Sequence, residues 1–182
     1  MNLVTDLTSY ANIDTKTLNV VIEIPKWTCN KVEYRDEGYF ELDRVLYHQM
    51  YYNFDYGFIP QTIEGDGDPC DVILLTTHSL FAGCVVKCRL IGAIQTSDQD
   101  GADMKFICVP ESKIDPRRSH VHTIDDLNTH AQQELLLFFK EYKKLEVTKY
   151  DKVTIGGFQT IEQAHAVIAQ SIQQFQQHHI AQ

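Results

Sequence analysis

The sequence predicts an α+β fold in which helices pack on the outside of a small β-barrel. Three observations predict it. Short apolar runs, alternating or continuous and bounded by turn residues, fill the N-terminal and middle parts of the chain. Two stretches with helical spacing of apolar residues appear only from Thr129 onward. No repeat and no Pro/Gly/Ser-rich linker divides the 182 residues, so 1–182 reads as a single domain with a sizeable core.

Leu18–Ile24 reads as a strand that ends at Pro25, which has no N–H to donate to a ladder. Lys31–Arg35 and Tyr39–Leu46 read as a strand pair joined by the turn sequence Asp36-Glu37-Gly38. Tyr52, Phe54, Tyr56 and Phe58 alternate, which sets them on one face of an extended segment. Val72–Leu75 is a continuous apolar run, as a buried strand requires, and Val85–Ile94 and Lys105–Val109 are further strands. In Thr129–Leu145, the residues Leu135, Phe138, Phe139 and Tyr142 recur on one helical face. Thr160-Ile161-Glu162-Gln163 is a capping-box sequence, and Ile161, Ala164, Ile168, Ile172 and Phe175 form the apolar stripe of the helix it opens. Gln170–Gln182 is a Gln-rich tail.

Composition narrows the function. The chain is 43% hydrophobic and 23% charged, the balance of an ordinary globular protein. A formal charge of -9 argues against a nucleic-acid or membrane surface, although basic residues and metal ions gathered at one site still serve a polyanion. Met1–Ala11 lacks the basic and apolar regions of a signal peptide, and no stretch is long and apolar enough for a bilayer. Five cysteines, an odd number with no Cys-x-x-Cys pair, read as free thiols of a reducing cytoplasm and argue against a zinc site.

Chemistry concentrates at Gly65-Asp66-Gly67-Asp68-Pro69-Cys70-Asp71, three aspartates in six residues at the mouth of a strand. Pro69 favours an extended Asp68, which sets Asp66 and Asp68 on the same side of the chain. Each like-charge pair at about 4 Å costs on the order of 4 kcal/mol at an effective dielectric near 20. A cation relieves that repulsion, and carboxylate-rich sites suit magnesium, manganese or calcium. The plain alternative is a solvated acidic turn. An EF-hand fits poorly, because loop positions 5, 6 and 12 counted from Asp66 hold Cys70, Asp71 and Thr77.

Other polar groups stand in suggestive pairs. Glu23 lies in the first strand, Lys31 and Glu33 are two apart, and Arg44 follows Asp43. Asp98, Asp103 and Lys105 share a short segment, and Tyr142-Lys143 ends the first helix. Singly, each is an ordinary surface group. His120 and His122 read as an exposed loop, and His178 and His179 as part of a fraying tail. The aromatic alternation at Tyr52–Phe58 also suits a base-stacking surface, a weaker reading given the negative charge.

Together these residues resemble the family I soluble inorganic pyrophosphatases over nearly the whole chain. The family signature Asp-x-Asp-Pro-x-Asp reads Asp66-Gly67-Asp68-Pro69-Cys70-Asp71. Glu23 matches a glutamate before Ile-Pro, Lys31-Val32-Glu33 a Lys-x-Glu pair, and Asp43-Arg44 an Asp-Arg pair. Tyr52 and Tyr56-Gly57, the set Asp98, Asp103 and Lys105, and Tyr142-Lys143 match the remaining elements. Cys70 departs from a larger apolar residue, Asn53 from proline, and Asp55 from asparagine or alanine. Cys70 is expected to alter packing. Asp55 is expected to add charge near the site and shift metal affinity.

The resemblance implies an OB-like five-stranded β-barrel with flanking helices and Mg-dependent hydrolysis of pyrophosphate to two phosphates. It implies metal ligation by Glu23, Asp66, Asp71, Asp98 and Asp103, with Asp68 as the general base toward metal-activated water. Lys31, Arg44, Lys105 and Lys143 are implied to neutralise phosphate, aided by the Tyr56 and Tyr142 hydroxyls, with Glu33 and Tyr52 completing the site. Several Mg²⁺ ions are implied, with Mn²⁺ an alternative the sequence leaves open. A homohexamer is expected by resemblance alone. The competing class is a calcium- or nucleic-acid-binding module.

Overall fold

The computed structural model describes residues 1–98, 101–146, 150 and 153–180, and the side chains of Asp98, Ala102 and Ile180 lie outside the description. In chain order the described elements begin with β1 (Tyr10–Asn12), β2 (Thr17–Ile24), β3 (Asn30–Tyr34), β4 (Phe40–Val45) and β5 (Asp55–Phe58). They continue with β6 (Asp71–Leu74), β7 (Val85–Asp98), β8 (Gly101–Pro110), α1 (Thr129–Glu141), β9 (Thr154–Gln159) and α2 (Ile161–Ile180). β2 pairs antiparallel with β5 on one side and with β7 on the other. β5 pairs with β6, β6 runs parallel to β8, and β8 pairs with β7. Five strands therefore close into a ring, as expected, with β1 and β9 as appended strands. The hairpin β3-β4 forms a separate two-stranded sheet.

Period-2 alternation divides these strands between two cores. Val72, Leu74, Phe106 and Cys108 face one core together with Ala164 and Ile168 of α2. Ile73, Ile107 and Val109 face the other together with Leu135, Phe138 and Phe139 of α1. Close approach on the ring is enforced at Gly57, where a Cβ would lie 1.8 Å from the Val21 carbonyl oxygen. The capping box forms as predicted: Thr160 N–H donates to Gln163 Oε1 at 2.9 Å and Gln163 N–H donates to Thr160 Oγ1 at 3.3 Å. Cys70 is fully buried in the first core, a packing role, and burial pushes its thiol up to about 12.

The structure corrects several expectations. β7 and β8 extend well past the predicted apolar runs, because their far ends pair with each other and β7 also pairs with β9. α1 stops at Glu141, short of the predicted Leu145: Tyr142 caps it, and the chain tightens into turns with Lys144 N–H on Glu141 O and Glu146 N–H on Lys143 O. The aromatic alternation offers no stacking surface. Tyr52, Phe54, Tyr56 and Phe58 are all buried, and only the last two lie in a strand. Phe54 stacks on Phe139 at 5.7 Å and Tyr52 packs on Phe138 at 4.9 Å.

Asp55 is likewise not an active-site charge. It is fully buried, and its carboxylate accepts from Lys26 N–H at 3.1 Å, Leu80 N–H at 3.0 Å and the Thr76 hydroxyl. Lys26 Nζ in turn donates to the Thr76 and Thr77 carbonyls at 2.8 and 2.9 Å. The group ties the segment after β2 to the loop after β6. Asp55→Asn is expected to cost at least ~2 kcal/mol, because an amide faces donors where a carboxylate accepted them. That corresponds to a fall of about 4–8 °C in melting temperature. Melts at fixed protein concentration, with and without Mg²⁺, should show the same Mg²⁺ response in parent and variant; a changed response would return Asp55 to the metal site.

Candidate active site

One end of the ring opens into a cleft of about 620 Å³. The hairpin supplies one wall. Lys31 and Arg44 are register partners across β3 and β4, so both side chains leave the same face of that sheet. Lys31 pairs with Glu33 and lies 3.4 Å from Asp43, while Arg44 pairs with Asp43 through Nη1. Glu23 accepts the Tyr34 N–H at 2.7 Å, which fixes the end of β2 against the hairpin.

The ring supplies the floor. β6 and β8 run parallel with Val72 opposite Phe106, so Asp71 and Lys105 stand one residue earlier on neighbouring strands. Lys105, only 7% exposed, bonds both Asp71 and Asp103. The acidic loop is not extended as expected. Gly67, at φ +95°, lets the chain turn back, with Glu64 N–H on Asp68 O at 2.8 Å and Asp68 N–H on Asp66 Oδ1 at 3.1 Å. Asp66 and Asp68 still line the cleft. The end of α1 brings Tyr142 and Lys143 over the opposite rim.

Of the predicted site residues, Glu23, Lys31, Glu33, Arg44, Tyr56, Asp66, Asp68, Asp71, Asp103, Lys105, Tyr142 and Lys143 line this one cleft. Tyr52 does not. It is 2% exposed beneath the cleft, packed on Tyr56 and Phe138, because its ring belongs to the aromatic core. Asp98 closes β7, and its side chain lies outside the described residues. Sequence reasoning missed Arg35, which bonds Glu33 at 2.9 Å and Glu41 at 2.6 Å on the hairpin wall. It also misread His178 and His179, which fall within α2 and reach the cleft rim.

Charge is crowded here. Burial, joined by the nearby Asp71 and Glu33 charges, pushes the Glu23 carboxyl up to about 8, although part of its surface faces the cleft. Burial and the charges of Asp103 and Asp71 push Glu64 up to about 8, which makes it another carboxylate the motif did not flag. Asp68 is raised by burial and by Asp66 and Asp71, and Asp103 chiefly by burial. Burial weakens the Lys105 ammonium, but Asp71 and Asp103 outweigh it and hold Lys105 well above its usual value. Tyr56 is buried and stays a neutral hydroxyl, held far above its ordinary value first by burial and then by Asp71.

No three acidic, histidine or cysteine groups among the described residues converge on one point. The donor set nevertheless fits hard divalent cations: it is all carboxylate oxygen, and burial and neighbouring carboxylates raise several of its members. Cations from lysine and arginine interleave with these carboxylates. Such a cleft suits a small polyanion that carries metal ions with it.

The family model described as inorganic pyrophosphatase matches residues 20–176. The inorganic pyrophosphatase of Sulfolobus acidocaldarius is 44% identical over 144 residues, 79% of this chain and 83% of that protein. The solved inorganic pyrophosphatase of Helicobacter pylori has a TM-score of 0.87 at 40% identity and covers 94% of this chain and 99% of its own. That of Thermus thermophilus has a TM-score of 0.89 at 35% identity, covering 97% and 99%. The chain belongs to the inorganic pyrophosphatase family, whose members need divalent metal.

The raised carboxyls set a pH dependence for the metal-free protein. Glu23 and Glu64 keep a proton to about pH 8 when folded but lose it near 4.5 when unfolded. Their stabilisation is fully present below about 4.5, declines as pH rises and is gone above about 8, by up to ~1.4 kcal/mol per pH unit per group. Melting temperature in EDTA should therefore fall more steeply from about pH 5 to 8 in the parent than in Glu23→Gln. Parallel slopes would mean that Glu23 is ionised throughout.

Proposed function

We propose that the cleft hydrolyses inorganic pyrophosphate to two phosphates with Mg²⁺. The observation that carries this reading is the interleaving of charge: Lys31 and Arg44 on the hairpin face Lys105, Asp71 and Asp103 on the ring. A carbon-free polyanion offers only charge and hydrogen-bond acceptors for recognition. Arg44 presents a planar fork to a phosphate, and Lys31, Lys105 and Lys143 act as point charges. Tyr56 and Tyr142 contribute hydroxyl donors, while Tyr52 supports them from below. Glu33 holds Lys31 in position.

Glu23, Asp66, Asp71 and Asp103 would hold the metal ions, with Asp98 assigned beside them on the family pattern. When bound, the ions neutralise phosphate oxygens and lower the pKa of the attacking water. Asp68 is the general base. It projects from the turn at Gly67 into the cleft, where burial and the charges of Asp66 and Asp71 make its carboxylate a stronger base. Water then attacks one phosphorus in line, the bridging P–O bond breaks, and the second phosphate leaves against the basic side chains.

The finer assignments extend this reading. The five cysteines are free thiols, which suits a reducing cytoplasm. Trp27, Tyr47, Tyr51 and Phe81 are each more than half exposed and give a homohexamer apolar surface to cover. Mn²⁺ is expected to substitute for Mg²⁺, both being hard cations for oxygen ligands.

Phosphate release from pyrophosphate in Mg²⁺, compared with EDTA, tests the reaction itself. Folded Asp68→Asn should lose at least roughly 10²–10⁴-fold in turnover; near-normal turnover would remove Asp68 as the base. Saturating Mg²⁺ should raise the parent's melting temperature by about 5–10 °C, from ~2.7 kcal/mol at a hundredfold excess over Kd. Asp71→Asn removes one of the two counter-charges of the buried Lys105, so it should melt below the parent in EDTA, and it should gain less from Mg²⁺. Equal gains across a titration would show that Asp71 is not a ligand.

A further inference from the structure

We infer that Glu146 is a positioning residue that orients the Arg44 guanidinium toward substrate. The inference rests on the proposed function and goes beyond its residue set. Glu146 lies in the turns after α1, is only 7% exposed and does not line the cleft. It accepts the Arg44 Nε–H at 3.2 Å across a separation of 102 residues. Its own N–H donates to Lys143 O at 2.7 Å, which fixes the chain that carries it.

The geometry of a guanidinium makes this contact directional. Its five N–H bonds lie in one plane, so two fixed edges fix the third. Glu146 takes Nε and Asp43 takes Nη1, and Arg44 itself lines the cleft. Arg44 rides on a hairpin that shares no strand ladder with the ring among the described residues. Tyr142 and Lys143, on the opposite rim, belong to the same chain segment as Glu146. The Arg44–Glu146 pair therefore joins the two walls that must close on one anion, and it does so from behind the phosphate site. Its carboxylate also helps hold the guanidinium charged: burial opposes the charge, and Glu146 and Asp43 overcome it.

A structural tie and a positioning tie differ in what they change. A structural tie lowers melting temperature and leaves the folded enzyme's affinity intact. A positioning tie loses its effect once Arg44 is gone. The test is a double-mutant cycle on Arg44→Ala, Glu146→Gln and the double variant, read as KM and kcat for pyrophosphate. The same cycle is read as Kd for methylenediphosphonate by calorimetry, both in saturating Mg²⁺. Glu146→Gln keeps size and an acceptor oxygen, so it protects the fold, and Glu146→Ala supplies the larger effect.

Glu146→Gln is expected to raise KM and the analogue Kd by roughly three- to thirtyfold, with kcat changed less. The double variant should bind the analogue no more weakly than Arg44→Ala alone. Additive losses, or a lowered melting temperature with unchanged KM and Kd, would overturn the inference. Parent turnover reports separately on the proposed reaction, since analogue binding is read without any cleavage.

Discussion

The bond of Lys105 to both Asp71 and Asp103 is the contact on which the rest depends. An ammonium at 7% exposure is tolerated only with close counter-charges, because an unpaired buried ion is strongly destabilising. The two carboxylates come from different strands, and the parallel pairing of β6 with β8 is what sets Asp71 beside Lys105. Ring closure and charge compensation are thus one constraint. Lys105 satisfies only part of it, since Glu23, Glu64, Asp68 and Asp103 all remain raised. Burial and mutual repulsion raise these carboxyls, and divalent cations entering the cleft would relieve both.

A second dependence runs through the aromatic layer. Phe138 and Phe139 of α1 lie against Tyr52 and Phe54, and Tyr142 stacks on Phe138 at 5.2 Å. The helix end that carries Tyr142 and Lys143 is therefore anchored by the same alternating aromatics that precede and enter β5. A cleft-lining hydroxyl, that of Tyr142, and core packing at Phe138 lie one turn apart at the end of one helix. A change in the core at Phe138 is felt at the cleft for this reason.

Much of this was legible because it is periodic or compact in sequence. The strand and helix cores followed from apolar spacing, and the capping box at Thr160 lay where the four-residue pattern put it. What escaped had no local signal. β9 holds Gly156 and Gly157, which lower strand propensity, and it forms because β7 offers a free edge. The extended reading of Asp66–Asp68 weighed Pro69 above Gly67, and the left-handed glycine won. Asp55 was read by its neighbours in sequence, yet its partners Lys26, Thr76 and Leu80 come from distant segments. Tyr52, Arg35 and the two histidines of α2 were similarly sorted by tertiary packing rather than by pattern.

The hairpin β3-β4 stands as a sheet of its own, carrying Lys31 and Arg44, while Lys105 belongs to the ring and Lys143 to the turns after α1. Under the proposed assignment, an anion with two phosphoryl ends would bridge these two bodies as a bivalent ligand, and its apparent affinity would include the gain from holding both at once. Cutting the central bond would leave two monovalent ligands, each held by one body alone. The chelate advantage would vanish with the bond, so a geometry that gathers the substrate would also loosen its grip on the products.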